Sequence, residues 1–116
     1  MSAQAIELLN LTVTSAGALT RHRFVTAAGA HADADLYGVT QFDASAAGQE
    51  VTVTVAGTAV LEAGAAIASG TEYVIADAQG RAIAGGTAAA NAGKLVRGQS
   101  AAALGDKVEV LLTLHI

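Results

Sequence analysis

A metal site is the most specific chemistry that this sequence offers. His31, Asp33 and Asp35 alternate with alanine, so an extended backbone would direct the three polar side chains to one face. Imidazole and carboxylate groups are common ligands of divalent metal ions. No second histidine–carboxylate cluster in the sequence completes a coordination shell, and a solvent-exposed loop explains the same residues. We therefore predict no bound metal ion.

A glycine-rich stretch over residues 86–95 suggests a phosphate-binding loop, which would hold a nucleotide. Such a loop needs four residues between its glycines, followed by lysine and then serine or threonine. Here six residues separate Gly86 from Gly93, and Leu95 stands where the hydroxyl residue is needed. The spacing indicates a connection made of small residues, and we predict no cofactor.

The sequence also lacks the motifs that indicate a catalytic nucleophile or a catalytic acid–base pair. The sequence has no cysteine, and none of its serines lies in the Gly-x-Ser-x-Gly motif of hydrolases. The ten acidic residues are scattered, without a pair whose spacing indicates a shared cleft. The sequence predicts a protein that is not an enzyme.

Charge is sparse and slightly acidic. Six lysines and arginines stand against ten acidic residues, which gives a net charge of −4. The densest basic cluster, Arg21-His22-Arg23, is much smaller than the basic stripe with which proteins neutralise nucleic-acid phosphates. The longest uncharged stretches, 8–20 and 82–93, are shorter than the ~20 apolar residues of a membrane span. We predict neither a nucleic acid nor a membrane as a partner.

The elements that must position these residues are strands, because apolar and polar residues alternate along much of the chain. The alternation runs through residues 9–14, 51–56 and 107–115. Glycine-containing turn signals separate segments of roughly 8–12 residues. The pattern predicts an all-β fold: a small single-domain β-sandwich or β-barrel of short antiparallel strands. At most one short helix is expected, at Ala44–Ala47 or Ala101–Leu104.

Two local features sharpen this prediction. Between Tyr73–Ala76 and Arg81–Ala84, Asp77 can open a turn with its side chain and Gly80 can adopt the positive φ that closes it. Residues 46–53 and 103–110 share one order: small residues, glycine, a polar or charged pair and an alternating strand. We infer one hairpin and two similar strand–turn–strand units.

Composition limits the core of this fold. The chain has 116 residues, of which 29 are alanine, 13 are glycine and only four are aromatic. Alanine buries little area per residue. We therefore expect a thin core, and a protein that gains stability from contacts with partner subunits.

An ordered series of short motifs runs through the chain from Leu36 onward. The motifs are Leu-Tyr-Gly-Val-Thr at 36–40, a small-residue turn and strand at 44–53, Gly-Ala-Ala-Ile-Ala-Ser-Gly at 64–70, the hairpin at 77–81 and a closing unit at 98–110. In this order they resemble the capsid decoration (cement) proteins of tailed bacteriophages, over about two-thirds of the chain. One departure is Gln99, because family members often carry isoleucine or valine after the glycine at 98.

The resemblance implies a structural role. Such proteins bind the outside of an assembled phage head after expansion, usually as oligomers at or near local three-fold positions. They clamp neighbouring major capsid protein subunits against the internal DNA pressure. For this chain it implies two partners, the major capsid protein and further copies of itself, with a homotrimer favoured over a dimer. The implied location is the outer capsid surface of the virion, after synthesis in the host cytoplasm.

Two alternative functions stay open at this point. One is another virion structural β-domain, such as a head fibre base or a tail component. The other is a small β-barrel that binds a ligand or a sugar. That module would need a pocket with aromatic platforms, for which four scattered aromatic residues are poorly suited.

The N-terminal segment is the first candidate interface with the capsid or a neighbouring subunit. We consider residues 1–10 as an arm and residues 11–116 as the β domain. Ile6, Leu8 and Leu9 would be exposed on such an arm in an isolated chain. The arm could add a strand to a neighbour's sheet edge. The alternative is that these residues belong to this chain's own first strand.

The second candidate interface is a basic spot with an aromatic neighbour, formed by Arg21, Arg23 and Phe24. Its positive charges could pair with acidic residues of a partner subunit. The alternative is that the three residues form the exposed face of a strand.

Overall fold

The computed structural model describes residues 5–113, and these form eight strands. The strands are β1 (Glu7–Thr14), β2 (Phe24–Thr26), β3 (Leu36–Thr40), β4 (Glu50–Glu62), β5 (Tyr73–Ala76), β6 (Ala82–Ala84), β7 (Gly93–Leu95) and β8 (Lys107–Leu112). No helix occurs within residues 5–113, and all strand pairs are antiparallel. The sheet is nearly closed into a barrel, which confirms the predicted all-β, single-domain class.

β4 organises the sheet, because three other strands pair with it. Val53 of β4 is opposite both Leu11 of β1 and Thr40 of β3, so β1 and β3 lie on opposite edges of β4. β8 pairs with the second half of β4, from Thr58 to Glu62. Beyond these pairs the sheet continues in the order β2-β3-β4-β8-β7-β5-β6.

Gly57 lies between the two halves of β4 and allows β1 to come close. Its φ is +98°, and an added Cβ would collide with the carbonyl oxygen of Ile6. The register between β1 and β4 shifts close to this glycine. Contact then resumes where the Thr58 N–H donates to the Ile6 carbonyl oxygen at 2.9 Å. The absence of a side chain at Gly57 therefore allows the backbone at Ile6 to approach β4 closely.

The interior consists of two hydrophobic clusters, and their small side chains explain why the core is thin. The larger cluster contains Phe24, Leu36, Val39, Ala59, Leu61, Ala63, Ile67, Val74, Ala76, Ala82, Ala92, Ala101, Val108, Val110 and Leu112. Six of these fifteen residues are alanine. The smaller cluster contains Val13, Leu19, Val25, Ala44, Val51 and Val53. Phe24 is the largest of the side chains that are less than 2% exposed.

The two strand–turn–strand units predicted from the sequence are present, and their backbone hydrogen bonds match. In the first unit, Gly48 N–H donates to the Ser15 carbonyl oxygen at 2.8 Å. In the second, Gly105 N–H donates to the Ala63 carbonyl oxygen at 2.9 Å. Both glycines have a positive φ, +87° and +96°. The internal similarity of the sequence therefore reflects a repeated turn that leads into β4 and into β8.

The segments that precede these turns match as well. Ala44 pairs with Leu19 in the first unit, and Ala101 pairs with Ile67 in the second. A side chain closes each turn: Gln49 Oε1 accepts from Ser45 N–H at 2.9 Å, and Asp106 Oδ2 accepts from Ala102 N–H at 2.8 Å. The two ranges considered for a short helix, 44–47 and 101–104, form these bridges and turns instead.

The hairpin between β5 and β6 forms as the sequence predicts. Asp77 Oδ1 accepts from the backbone N–H groups of Gln79 at 3.0 Å and Arg81 at 2.8 Å. Its other carboxylate oxygen pairs with the Arg81 side chain at 2.9 Å. Gly80 has a φ of +78°. The turn is therefore fixed by one carboxylate and one glycine.

Gln99, the residue at which the chain departs from the family pattern, is a buried polar residue with a structural contact. It is 3% exposed, and its Oε1 accepts from the Glu109 N–H at 3.1 Å. Gln99 follows the end of β7, and β7 pairs with β8 only at residues 110–112, so Glu109 lies just outside that pairing. The amide oxygen therefore satisfies a backbone donor of β8, which isoleucine or valine could not do.

Candidate functional site

Large apolar side chains are exposed along the N-terminal strand. The exposed fractions are 60% for Ile6, 76% for Leu8, 49% for Leu9 and 38% for Leu11. Apart from Val13, every residue of β1 is exposed. Such a run of exposed apolar residues on one strand is the feature that marks interaction surfaces on small proteins.

β1 is also an edge strand of the sheet. Within residues 5–113 it pairs with β4 and with no other strand. Ser15 N–H donates to the Gln49 carbonyl oxygen at 2.8 Å, and Val13 is opposite Val51. Because hydrogen bonding alternates along an antiparallel strand, Thr12 and Thr14 direct their backbone groups away from β4.

The pairing bears on the two hypotheses for the N-terminal segment. Residues 7–10 lie in β1 and pair with this chain's own β4, as in the alternative considered for the arm. Residues 1–4 lie outside the described part of the chain. The strand pairs along one edge, and its second edge has no strand against it among residues 5–113.

The structure separates the three residues of the predicted basic spot. The Phe24 ring is fully buried in the larger core cluster, so it offers no surface to a partner. Arg23 is partly buried, and its Nε donates to Glu62 Oε1 at 3.1 Å. Arg21 is exposed, and its backbone N–H donates to Asp43 Oδ1 at 2.8 Å. Only Arg21 of the three presents a largely exposed side chain.

The basic segment and the N-terminal segment lie along the same edge of β4. Thr58 N–H donates to the Ile6 carbonyl oxygen at 2.9 Å, and Glu62 N–H donates to the His22 carbonyl oxygen at 2.8 Å. Four residues of a strand span about 13 Å. The structure therefore brings Ile6 and the Arg21–Arg23 segment to neighbouring positions along one edge.

His22 lies in the basic segment, and its surroundings favour the neutral form of its imidazole ring. Burial lowers its pKa below the ordinary value of 6.5, and the positive charges of Lys107 and Arg21 lower it further. The backbone of His22 has a φ of +65°, which is unusual for a residue other than glycine. The two arginines on either side of His22 make different contacts, Arg21 through its backbone with Asp43 and Arg23 through its side chain with Glu62.

The polar cluster at His31 does not converge on a common point. Both ring nitrogens of His31 contact backbone groups: Nε2 accepts from Thr20 N–H at 2.9 Å, and Nδ1 contacts the Phe24 carbonyl oxygen at 2.8 Å. Asp33 and Asp35 are exposed. Among residues 5–113 no group of three or more histidine and acidic side chains could hold a metal ion.

Comparison with protein families decides to which family the chain is related. A model of a family described as phage cement protein matches residues 3–112. The chain belongs to the phage cement protein family. The match confirms the resemblance seen from Leu36 onward, and it extends the similarity to the exposed N-terminal strand. Comparisons with curated proteins and with solved structures give no match.

Membership of the phage cement family gives the chain a structural, capsid-associated role. Across residues 5–113 there is no helix that is long and apolar enough to span a membrane. The exposed strand β1 and the Arg21 segment are two features of this family member that are open to contact with other proteins.

Besides Leu11 of β1, three exposed apolar residues of this cement family member were not among the sequence-based candidates. They are Phe42 at 59% exposed, Leu104 at 58% and Leu111 at 45%. Leu111 is directly opposite Thr58, whose hydroxyl oxygen accepts from the Ile6 N–H at 2.8 Å. Leu111 therefore lies beside the N-terminal segment. The signal for it is two consecutive leucines at 111–112, because only one of them can face the interior of a strand.

Proposed function

We propose that this chain is a capsid decoration protein, which binds the outer surface of a phage head and stabilises contacts between major capsid protein subunits. The observation that carries the proposal is the exposed apolar edge strand β1 in a member of the phage cement family. The protein acts by binding and carries out no catalysis. It is synthesised in the host cytoplasm and reaches the virion by assembly.

The physics of edge strands supports this role for β1. An unpaired edge presents backbone donors and acceptors that a strand from another chain can satisfy. Burying one large apolar side chain contributes about 1.5–3 kcal/mol. Ile6, Leu8, Leu9 and Leu11 together provide enough apolar surface to anchor such a strand pair. The interface proposed for the capsid or a neighbouring subunit is therefore β1, with Arg21 at its end.

We further propose that copies of the chain associate on the head as a homotrimer rather than a dimer. Six of the fifteen residues in the larger core cluster are alanine, so a single copy buries few large side chains. Burial of exposed leucines between copies adds stability that the isolated core lacks.

Co-sedimentation with expanded, undecorated phage heads tests the proposed function. We expect the protein to pellet with the heads, to saturate at a fixed molar ratio, and to raise the temperature at which the heads release DNA. Unexpanded heads, on which the subunits are arranged differently, are the control and should bind less. Absence from the pellet of expanded heads at saturating protein concentrations contradicts the proposal.

Thr12→Pro tests whether the contact is made by strand addition. Thr12 directs its N–H away from β4, so proline there removes one outward donor and leaves the β1–β4 hydrogen bonds in place. We expect binding to the heads to weaken about tenfold, the effect of leaving a buried backbone acceptor without a partner.

Two control variants make this test specific. Thr12→Ala removes the side chain but retains the N–H, and should bind like the original protein. Val13→Pro removes an N–H that faces β4, and should lower the free energy of unfolding by about 3 kcal/mol or more. Equal binding by Thr12→Pro and the original protein contradicts strand addition, while co-sedimentation itself would stand.

A further inference from the structure

His31 contacts the backbone at Thr20 and at Phe24 through its imidazole ring. Its Nε2 accepts a hydrogen bond from Thr20 N–H at 2.9 Å, and its Nδ1 is 2.8 Å from the Phe24 carbonyl oxygen. A backbone N–H can only donate and a carbonyl oxygen can only accept. The ring is therefore neutral, with its proton on Nδ1.

A third segment packs against the same ring. Gly80, in the β5–β6 hairpin, lies so close that a Cβ there would be 3.2 Å from His31 Nδ1. Phe24 N–H in turn donates to the Gly80 carbonyl oxygen at 2.6 Å. His31 thus lies where the Thr20–Phe24 segment, its own loop and the β5–β6 hairpin meet.

We propose that His31 is an acid-sensitive latch, which holds Thr20 to the loop at neutral pH and releases it when the ring takes up a second proton. Protonation places a hydrogen on Nε2, opposite the Thr20 N–H. Two donors then face each other at a heavy-atom separation of 2.9 Å, so the contact must open. The bond from Nδ1 to Phe24 survives, because Nδ1 is a donor in both states.

The environment of His31 sets the direction of the pH dependence. Burial lowers its pKa below 6.5, the Phe24 carbonyl oxygen raises it, and the charge of Arg23 lowers it again. On the hairpin that packs against the ring, Asp77 and Arg81 pair with each other at 2.9 Å. Asp33 and Asp35, on the same loop as His31, are exposed.

The sign follows from linkage. The unfolded chain takes up the proton first as the pH falls, so the contribution of His31 to stability is complete above pH 6.5. It is lost as the pH falls from there through the lowered pKa of the folded state. Opening of the latch releases the Thr20 N–H, while the Thr20 carbonyl oxygen stays bonded to the Thr40 hydroxyl group and Arg21 N–H to Asp43.

Amide hydrogen exchange of the full chain, measured by NMR at pH 7.5 and 5.0, tests the latch. We expect the protection factor of the Thr20 amide to fall by about fivefold or more at pH 5.0, the factor equivalent to one hydrogen bond of roughly 1 kcal/mol. The adjacent Leu19 amide donates to the Ala44 carbonyl oxygen at 2.8 Å and serves as the internal control. Its protection should change by less than twofold.

Variants separate His31 from the other titrating groups. His31→Gln retains a donor and an acceptor without a titrating ring, and should abolish the pH dependence at Thr20. His22→Gln should leave that dependence unchanged, although His22 also has a lowered pKa. The proposal is overturned if Thr20 and Leu19 lose protection together in the original protein, if neither does, or if His31→Gln retains the dependence.

Discussion

Phe24→Ala is expected to lower the free energy of unfolding by about 3–5 kcal/mol. The ring is fully buried and is the largest such side chain in the described structure. Around it the larger cluster supplies mainly valine, leucine and alanine, and alanine side chains cannot extend to fill a cavity. Small domains have only about 5–15 kcal/mol of stability, so this one change removes a large share of it.

Phe42→Ala is the matched control for this prediction, because Phe42 is 59% exposed. We expect it to change the free energy of unfolding by less than about 0.5 kcal/mol. Urea denaturation followed by circular dichroism measures both variants. Similar losses for the two variants, or a loss below about 1 kcal/mol for Phe24→Ala, would show that the core does not depend on this ring.

The position of Phe24 shows where strand periodicity stops being informative. β2 has only three residues, and its first two, Phe24 and Val25, are both fully buried. Phe24 belongs to the larger cluster and Val25 to the smaller one. Both faces of β2 are therefore covered, and no alternation between apolar and polar residues can arise. The sequence alone consequently grouped Phe24 with the charged residues beside it.

Strands β4 and β8 were predictable because one face of each carries buried apolar residues and the other carries polar ones. Val51 and Val53 of β4, and Val108 and Val110 of β8, alternate with polar residues and are all buried. The repeated turns were predictable because glycine with a positive φ is required at the same place in each. The continuation of β4 through Gly57 was not predictable, because a glycine within an alternating apolar and polar run usually indicates a turn or an irregularity.

The exposure of the N-terminal segment was predictable for a different reason. Ile6 and Leu8 fall on one face of an extended strand and Leu9 on the other, so the three cannot all face one core, and all three are exposed. Sequence could not decide between an arm and a first strand, because an edge strand with both faces exposed has the same composition as an arm. The register shifts between β1 and β4 add to this ambiguity, since they interrupt the period of two.

Leu8→Asp is expected to weaken binding to expanded phage heads by at least about 100-fold while the fold remains intact, if β1 is the interface that we propose. Leu8 is 76% exposed in the isolated chain, so the change should alter the free energy of unfolding by less than about 0.5 kcal/mol. In the complex the same change removes about 1.5–3 kcal/mol of apolar burial and places an unpaired carboxylate in the contact. Since each 1.4 kcal/mol is about a tenfold change in affinity, the two effects together exceed 100-fold.

Leu104→Asp is the matched control, because Leu104 is 58% exposed and lies in the turn before β8. That turn bonds to Ala63, just after β4 ends, whereas β1 pairs with residues 50–57 of β4. Titration of heads with each variant, followed by sedimentation, gives the two affinities under one condition. We expect Leu104→Asp to bind within about threefold of the original protein, a difference of less than 1 kcal/mol. If Leu104→Asp abolishes binding and Leu8→Asp does not, the capsid contact lies at the turns rather than at the open edge of the sheet. If both variants bind normally, neither Leu8 nor Leu104 contributes to the contact with the head, which contradicts β1 as the interface. The Arg21 segment is then the region to change next.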